Sequence, residues 1–309
     1  PYRVGNPIEL DLVNDNEYAF DTVRGRITQV FEPFSRSCVV SIHIEPPDDR
    51  FQGPLLLKVF DRRFAYYLRA RYHMPYWTHS IELQAREFIR SGAGRSFMDQ
   101  CINNSLRRPD SAELARWTAA QNEAYLNVVM QKYFRTELEA YQRLKSLQGE
   151  HIPKCLGRAS MAWKLPEDFE EFQSPAILLQ QIEGYPLERL EFHAKPVDWD
   201  RICRDAINIV HHLNSCHIIN PDAHPNSLVV RTDSPDTPSK VFMVDFTLCK
   251  FRSKDCSIRD WRKQKAAADE EGAIGYAMQI LLQNNYHYQR SQMYLDLDMD
   301  FLPSIAPAA

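Results

Sequence analysis

Five side chains in this sequence, a lysine, three carboxylates and a hydroxyl, are of types that can do chemistry. Lys58 ends the apolar run LLLK, Glu137 sits in TELEAYQRL, Asp222 and Ser227 lie in INPDAHPNS, and Asp245 follows VFMV. A lysine ammonium is a compact point charge suited to phosphate. Carboxylates and hydroxyls are the hard oxygen donors that Mg²⁺ takes. An Asp on a positioned loop can also accept the proton of an attacking hydroxyl. Each residue has an ordinary structural explanation as well. Lys58 could run its stem along a sheet edge. Asp222, between the turn-forming pairs Asn220-Pro221 and His224-Pro225, could simply be polar turn between a helix and a strand.

What must hold these residues is legible around them. GRITQVF (25–31) and CVVSIHI (38–44) are β-branched runs split by the polar segment EPFSRS, which reads as a hairpin. GPLLLKVF (53–60) is a third strand, with Pro54 at its start, and the three fit a small antiparallel sheet. Residues 64–133 change character: Ile81, Ala85, Phe88 and Ile89 form a helical stripe, and Asp110-Ser111 with Glu113 reads as a helix start. No Gly or Pro occurs from Ser111 to Gln148. One helix of that length would span about 55 Å, so two are expected, with a break near Gln131–Arg135. AILLQQI (176–182) reads as a buried strand, and Trp199 to Leu213 as an amphipathic helix. SLVV (227–230) and KVFMVDF (240–246) form a hairpin around the turn-rich DSPDTPS, and DEEGAIGYAMQILLQ (269–283) is an apolar helix. The segment LDLDMDFLPSIAPAA is expected to be loosely held.

Composition sets outer bounds. The chain has 309 residues, 44% of them hydrophobic, enough for one large or two small domains. A net charge of −4 gives no footprint for nucleic acid or an anionic membrane surface. No apolar run reaches the roughly 18–20 residues of a membrane span, and the start PYRVGNPIEL lacks the features of a signal peptide. Seven scattered Cys with no CxxC pair argue against a zinc site or a disulfide framework, and are consistent with a cytosolic or nuclear protein.

The order of these pieces resembles the protein-kinase fold, including its aminoglycoside- and choline-phosphotransferase relatives, over about residues 20–285. LLLK sits where the family has V-A-I-K, Glu137 at the place of the helix glutamate that pairs with that lysine, and Glu139 falls on another side of the helix. LNSCHIINPDAHPNSLVV aligns without a gap on the family's L-H-S-x-G-V-x-H-R-D-L-x-P-x-N-I-L-V pattern, and Val244-Asp245-Phe246-Thr247 falls on D-F-G. The resemblance implies an α+β, two-lobed protein-kinase-like fold with a helical insertion (about 64–133) in the N-lobe and a truncated C-lobe, since too few residues follow Asp245 for peptide-docking helices. It places an N-lobe at 20–182, a C-lobe at 183–290 and a loose tail at 291–309. It implies ATP and Mg²⁺ as cofactors. Asp222 would be the catalytic base, and Asp245 and Ser227 the metal ligands. Lys58, Glu137, Ser35, Ser37, Gln180 and Ile182 would bind the nucleotide, the last two at a hinge near Gln180–Gly184. His224, two residues beyond Asp222, is a feature shared with small-molecule phosphotransferases. The DRRFA segment and the Trp-containing insertion look like kinase-like proteins of filamentous fungi.

The departures are as informative. H-R-D becomes Asn220-Pro221-Asp222, so the bracing His and the Arg are gone. Ser227 replaces the second metal-binding Asn, and Asn226 is one position early, which turns it to the other face of an extended segment. Thr247 replaces the flexible Gly. The EPFSRS loop has no Gly with which to approach phosphates, and Phe34 sits in its middle. Two functions follow. One is a pseudokinase with weak ATP binding and impaired or absent phosphotransfer. The other is an ATP- and Mg²⁺-dependent phosphotransferase acting on a small or unusual hydroxyl substrate. The insertion, rich in Tyr, Trp and Arg, could face a protein partner or pack its aromatics on the N-lobe.

Overall fold

The computed structural model describes residues 2–13, 20–51, 53–104, 109–161, 172–234, 237–283 and 285–301. Helix and strand are mixed, an α+β chain, and it divides into two compact units: 1–138 with 155–181, and 139–154 with 182–309.

The first unit is built on a closed six-stranded antiparallel barrel. Its strands are β1 (Pro7–Val13), β2 (Phe20–Phe31), β3 (Cys38–Ile44), β4 (Leu55–Val59), β5 (Cys155–Met161) and β6 (Pro175–Gln180), in the order β1-β2-β3-β4-β6-β5. The expected three-strand sheet is thus half of the assembly. In β1 the alternation is plain: Ile8, Leu10 and Leu12 are buried while Glu9 and Asp11 are not. Register shifts at Ile27/Gln29 and Cys155/Gly157 mark bulges, which bend strands as closure requires. Leu10, Val40, Leu57, Val59 and Leu178 fill the interior with no exposed surface. Tyr2, Phe34 and Phe64 form a cluster of edge-to-face rings, 5.2 to 6.0 Å apart, packed on that core.

Between β4 and β5 the chain forms α1 (Tyr66–Arg71), α2 (His79–Arg90), α3 (Ala93–Asn103), α4 (Ser111–Leu114) and α5 (Ala119–Arg143). α5 is one unbroken helix of 25 residues, so the expected break near Gln131–Arg135 does not occur. The interruption comes earlier, at 115–118. There Thr118 Oγ1 accepts from the Gln121 N–H, and Gln121 Oε1 accepts from the Thr118 N–H. This reciprocal capping box starts a new helix. The insertion's aromatics pack on one another in a chain from Phe88 through Phe97, Trp117 and Tyr125 to Tyr72. A buried charge network ties these helices down: Arg62 pairs with Glu82 and Glu123, and Arg69 also pairs with Glu123.

The second unit centres on α7 (Pro196–Ser215), preceded by β7 (Tyr185–Pro186) and α6 (Leu190–His193). Ile202, Ala206, Ile209, Val210 and Leu213 form its fully buried stripe. Beyond it come β8 (Ile218–Ile219), β9 (Leu228–Arg231), β10 (Lys240–Met243) and β11 (Lys250–Phe251), paired as β7-β9-β10 and β8-β11. Gly184 is required where the chain enters β7, because a Cβ there would lie 2.2 Å from the Val230 carbonyl of β9. α8 (Ile258–Ala268), α9 (Glu270–Leu281) and α10 (Gln292–Phe301) complete the unit. α10 corrects the expectation of a loose tail from 291: Tyr294 and Leu297 are buried with Ala266 of α8. Residues 302–309 lie outside the described residues. Among the described residues no helix is long and apolar enough to cross a membrane.

Candidate functional site

In the first unit, Lys58 occupies β4 between β3 and β6, opposite Val39 and Ile177. Its ammonium lies 2.5 Å from Glu137 Oε2 of α5, with the two side chains 5% and 0% exposed. Removing two ions from water costs several kcal/mol each, and only close pairing offsets it. Glu139, two positions on, is half-buried and bonds Arg143 at 2.5 Å, so the residue that meets Lys58 is Glu137. Ser35 is exposed and Ser37 half-buried in the 32–37 loop, which is held by Phe34, only 6% exposed, on Tyr2 and Phe64. Gln180 ends β6 opposite Leu55 in the first unit, and Ile182 belongs to the second.

In the second unit, Asp222 and Asp245 sit on segments joined by Asn220. Asn220 Oδ1 accepts from the Asp222 N–H at 3.2 Å, and its Nδ2 donates to the Asp245 carbonyl at 2.9 Å. The Ser227 carbonyl accepts from the Val244 N–H at 3.0 Å, closing the same junction from the β9–β10 side. Asn220, which is fully buried, thus ties the two segments together. Asp245 Oδ1 accepts from the Thr247 N–H at 3.0 Å, and Phe246 packs edge-to-face on Tyr141 at 5.3 Å.

The Ser227 hydroxyl is engaged locally. It donates to the His224 carbonyl at 2.8 Å and accepts from the His224 N–H at 3.1 Å, which leaves one lone pair. His224 Nδ1 accepts from the Asn226 N–H, so the neutral ring carries its proton on Nε2. Among the described residues no three His, Cys, Asp or Glu side chains form a metal cage. Mg²⁺ needs none, since one or two carboxylates plus phosphate oxygens and waters suffice. Asp222 and Asp245 sit on joined segments, and the Ser227 hydroxyl is largely committed to His224.

A carboxylate outside the expected site residues underlies this junction. Glu270 Oε1 accepts the Asn220 N–H at 2.6 Å from the first turn of α9. Burial pushes its carboxyl up to about 8, against the opposing influence of the Asn220 hydrogen bond and Lys265. Its neighbour Glu271 goes the other way. Burial would raise it, but hydrogen bonds from His211, Ser291 and Tyr288 outweigh that and hold it at about 2. Two adjacent acidic residues opening an otherwise apolar helix were the signal available in the sequence.

No family model matches the sequence, and neither does any curated protein. Among solved structures, WaaP in complex with acyl carrier protein is similar at 12% identity, over 88% of this chain and 82% of that one, with a TM-score of 0.40.

Proposed function

We propose that the chain is a protein-kinase-like protein that binds ATP weakly and has impaired or lost phosphotransfer. The observation that carries this reading is the buried Lys58–Glu137 pair, which joins β4 to α5 in the register the motif order requires. In this reading Lys58, oriented by Glu137, meets the α/β-phosphates. Gln180 and Ile182 supply backbone and apolar wall for adenine. Ser35 and Ser37 donate to phosphate. Asp245 would hold Mg²⁺, helped by the remaining lone pair of Ser227; the ion, when bound, neutralises phosphate charge. Asp222, steadied by Asn220, would orient an acceptor hydroxyl and take its proton.

The same residues support weakness. Ser227 is tied to His224, and the Gly-free loop is pinned through Phe34, so fewer groups are left for metal and phosphate than the family pattern supplies. Hydrogen bonds to charged groups contribute about 1.5–3 kcal/mol each. Losing one or two weakens ATP by about one to four decades. A protein partner belongs to the same reading: Tyr66, Tyr67 and Tyr76 on the insertion are exposed, with Arg36 and Arg71 against the Tyr67 ring. Those residue types are enriched at binding hot spots. The alternative, an active phosphotransferase on a small hydroxyl substrate, is favoured by one observation, the Asn220 bridge that keeps both carboxylate segments in order.

Turnover separates the two. ATP with Mg²⁺ is followed by ³¹P NMR over hours, with wild type and Asp222→Asn compared. The pseudokinase reading expects equal, near-background loss of γ-phosphate. Wild-type turnover well above that of the variant selects the enzyme.

A further inference from the structure

The tip of the β9–β10 hairpin carries chemistry that the carboxylate junction does not use. Its turn contains Thr237 directly before Pro238, both exposed. The Thr237 hydroxyl folds back on the turn, accepting from the Ser234 N–H at 3.0 Å and donating to the Ser234 carbonyl at 3.1 Å. Ser234 also precedes a proline in the sequence but is half-buried.

Beside the turn lies a cavity of about 410 Å³ at the start of α7, lined by Thr237, Ser239, His193, Lys195, Asp198 and Arg201 among others. Arg201 is aimed at the hairpin: it donates to the Ser239 carbonyl at 3.0 Å, and Asp205 and Asp198 hold it at 3.2 and 3.9 Å. His193 is fixed by stacking on Tyr185 with ring centroids 4.4 Å apart. Lys195 precedes the first turn of the 20-residue α7, whose N-terminus favours negative charge. Two permanent cations, a histidine and a helix start thus share this lining with Thr237, and Asp198 is the one acid among the described lining residues.

We propose that Thr237 is a phosphorylation site for a proline-directed Ser/Thr kinase, and that its phosphate enters this cavity and is received by Lys195, Arg201 and His193. In the transfer, the Thr237 Oγ1–P bond forms as the bond from γ-phosphorus to the β,γ-bridging oxygen of ATP breaks. ADP leaves, and the hydroxyl proton passes to the base of the modifying kinase. The phosphate brings about −1.5 to −2 charge and three acceptors, enough for Arg201 and Lys195 together. β9 begins just after Ser227 and β10 ends just before Val244, so the phosphate fastens to α7 the far end of the hairpin that carries Asp222 and Asp245 at its base.

The test treats the folded full chain with ATP, Mg²⁺ and a proline-directed Ser/Thr kinase, and maps phosphate by mass spectrometry. One phosphate on Thr237 is expected, absent in Thr237→Val. ³¹P NMR against pH then reads the bound phosphate, whose second pKa is ordinarily about 6. Cations in reach should lower it by about half a unit or more, and the exposed substitution Lys195→Met should move it back toward 6. Phosphate only on Ser234, none on the folded protein, or a titration that Lys195→Met leaves unmoved would overturn the proposal.

Discussion

Glu270→Gln should make the protein more stable at alkaline pH than the wild type, and the size of the gain can be worked out. Folded Glu270 releases its proton near 8, whereas an ordinary glutamate does so at 4.5. Below 4.5 both states hold the proton and the group is neutral in its effect. Between the two values only the unfolded chain ionises, so wild-type stability falls as pH rises, at up to about 1.4 kcal/mol per pH unit. Above 8 the loss stops growing. From pH 5.5 to 8.5 the loss is at most about 3 kcal/mol, and relaxation around the buried group reduces it to about 2–3 kcal/mol. Gln keeps the oxygen that accepts the Asn220 N–H, so the junction is retained. Urea unfolding of both proteins at pH 5.5 and 8.5 gives a double difference from which shared titrations, such as that of Glu271, cancel. Parallel pH profiles would refute the reasoning, because Glu270 would then be ionised in the fold despite its burial.

Three further substitutions probe the rest of the account. Lys58→Met removes the cation paired with the buried Glu137 and should cost about 3–5 kcal/mol in chemical denaturation, while Lys58→Met with Glu137→Leu should recover most of it. Asn220→Ala removes the bonds to Asp222 and Asp245; a loss of about 1–3 kcal/mol is expected, and faster amide exchange at 222–223 would localise it. Gly184→Ala drives a Cβ against the Val230 backbone, where no rotamer change relieves it, and should lower stability by about 1–3 kcal/mol, read as a reduced urea midpoint.

How much of this was legible in the sequence depended on how local each signal was. The α7 stripe, the β9–β10 hairpin and the α9 helix rested on short-range pattern, and the structure has them where they were expected; the Lys58–Glu137 pair was expected from the family resemblance alone, and the two side chains do meet. β1 was missed although Ile8, Leu10 and Leu12 alternate cleanly, because the strand pairs with β2 and β5, and closing a barrel is a non-local event. The break expected in α5 was argued from compactness alone, while the Thr118–Gln121 capping box marked the true helix start. α10 looked loose because its sequence is acidic, yet two apolar side chains three positions apart, Tyr294 and Leu297, are enough to seat it. Asn220 and Glu270 were unreadable as a unit, since a hydrogen bond between a loop amide and a helix fifty residues away leaves no spacing rule behind.

Calorimetric titration with ATP, with and without Mg²⁺, tests the central claim most directly when wild type, Lys58→Met and Asp245→Ala are compared. The account predicts a dissociation constant above about 100 μM for wild type, lost in Lys58→Met and altered by less than about threefold on adding Mg²⁺ or in Asp245→Ala. A low-micromolar constant that requires Mg²⁺ and disappears in Asp245→Ala would contradict it and make the chain an active phosphotransferase. Heat-silent titrations with no nucleotide-induced stabilisation in any of the three would contradict nucleotide binding altogether.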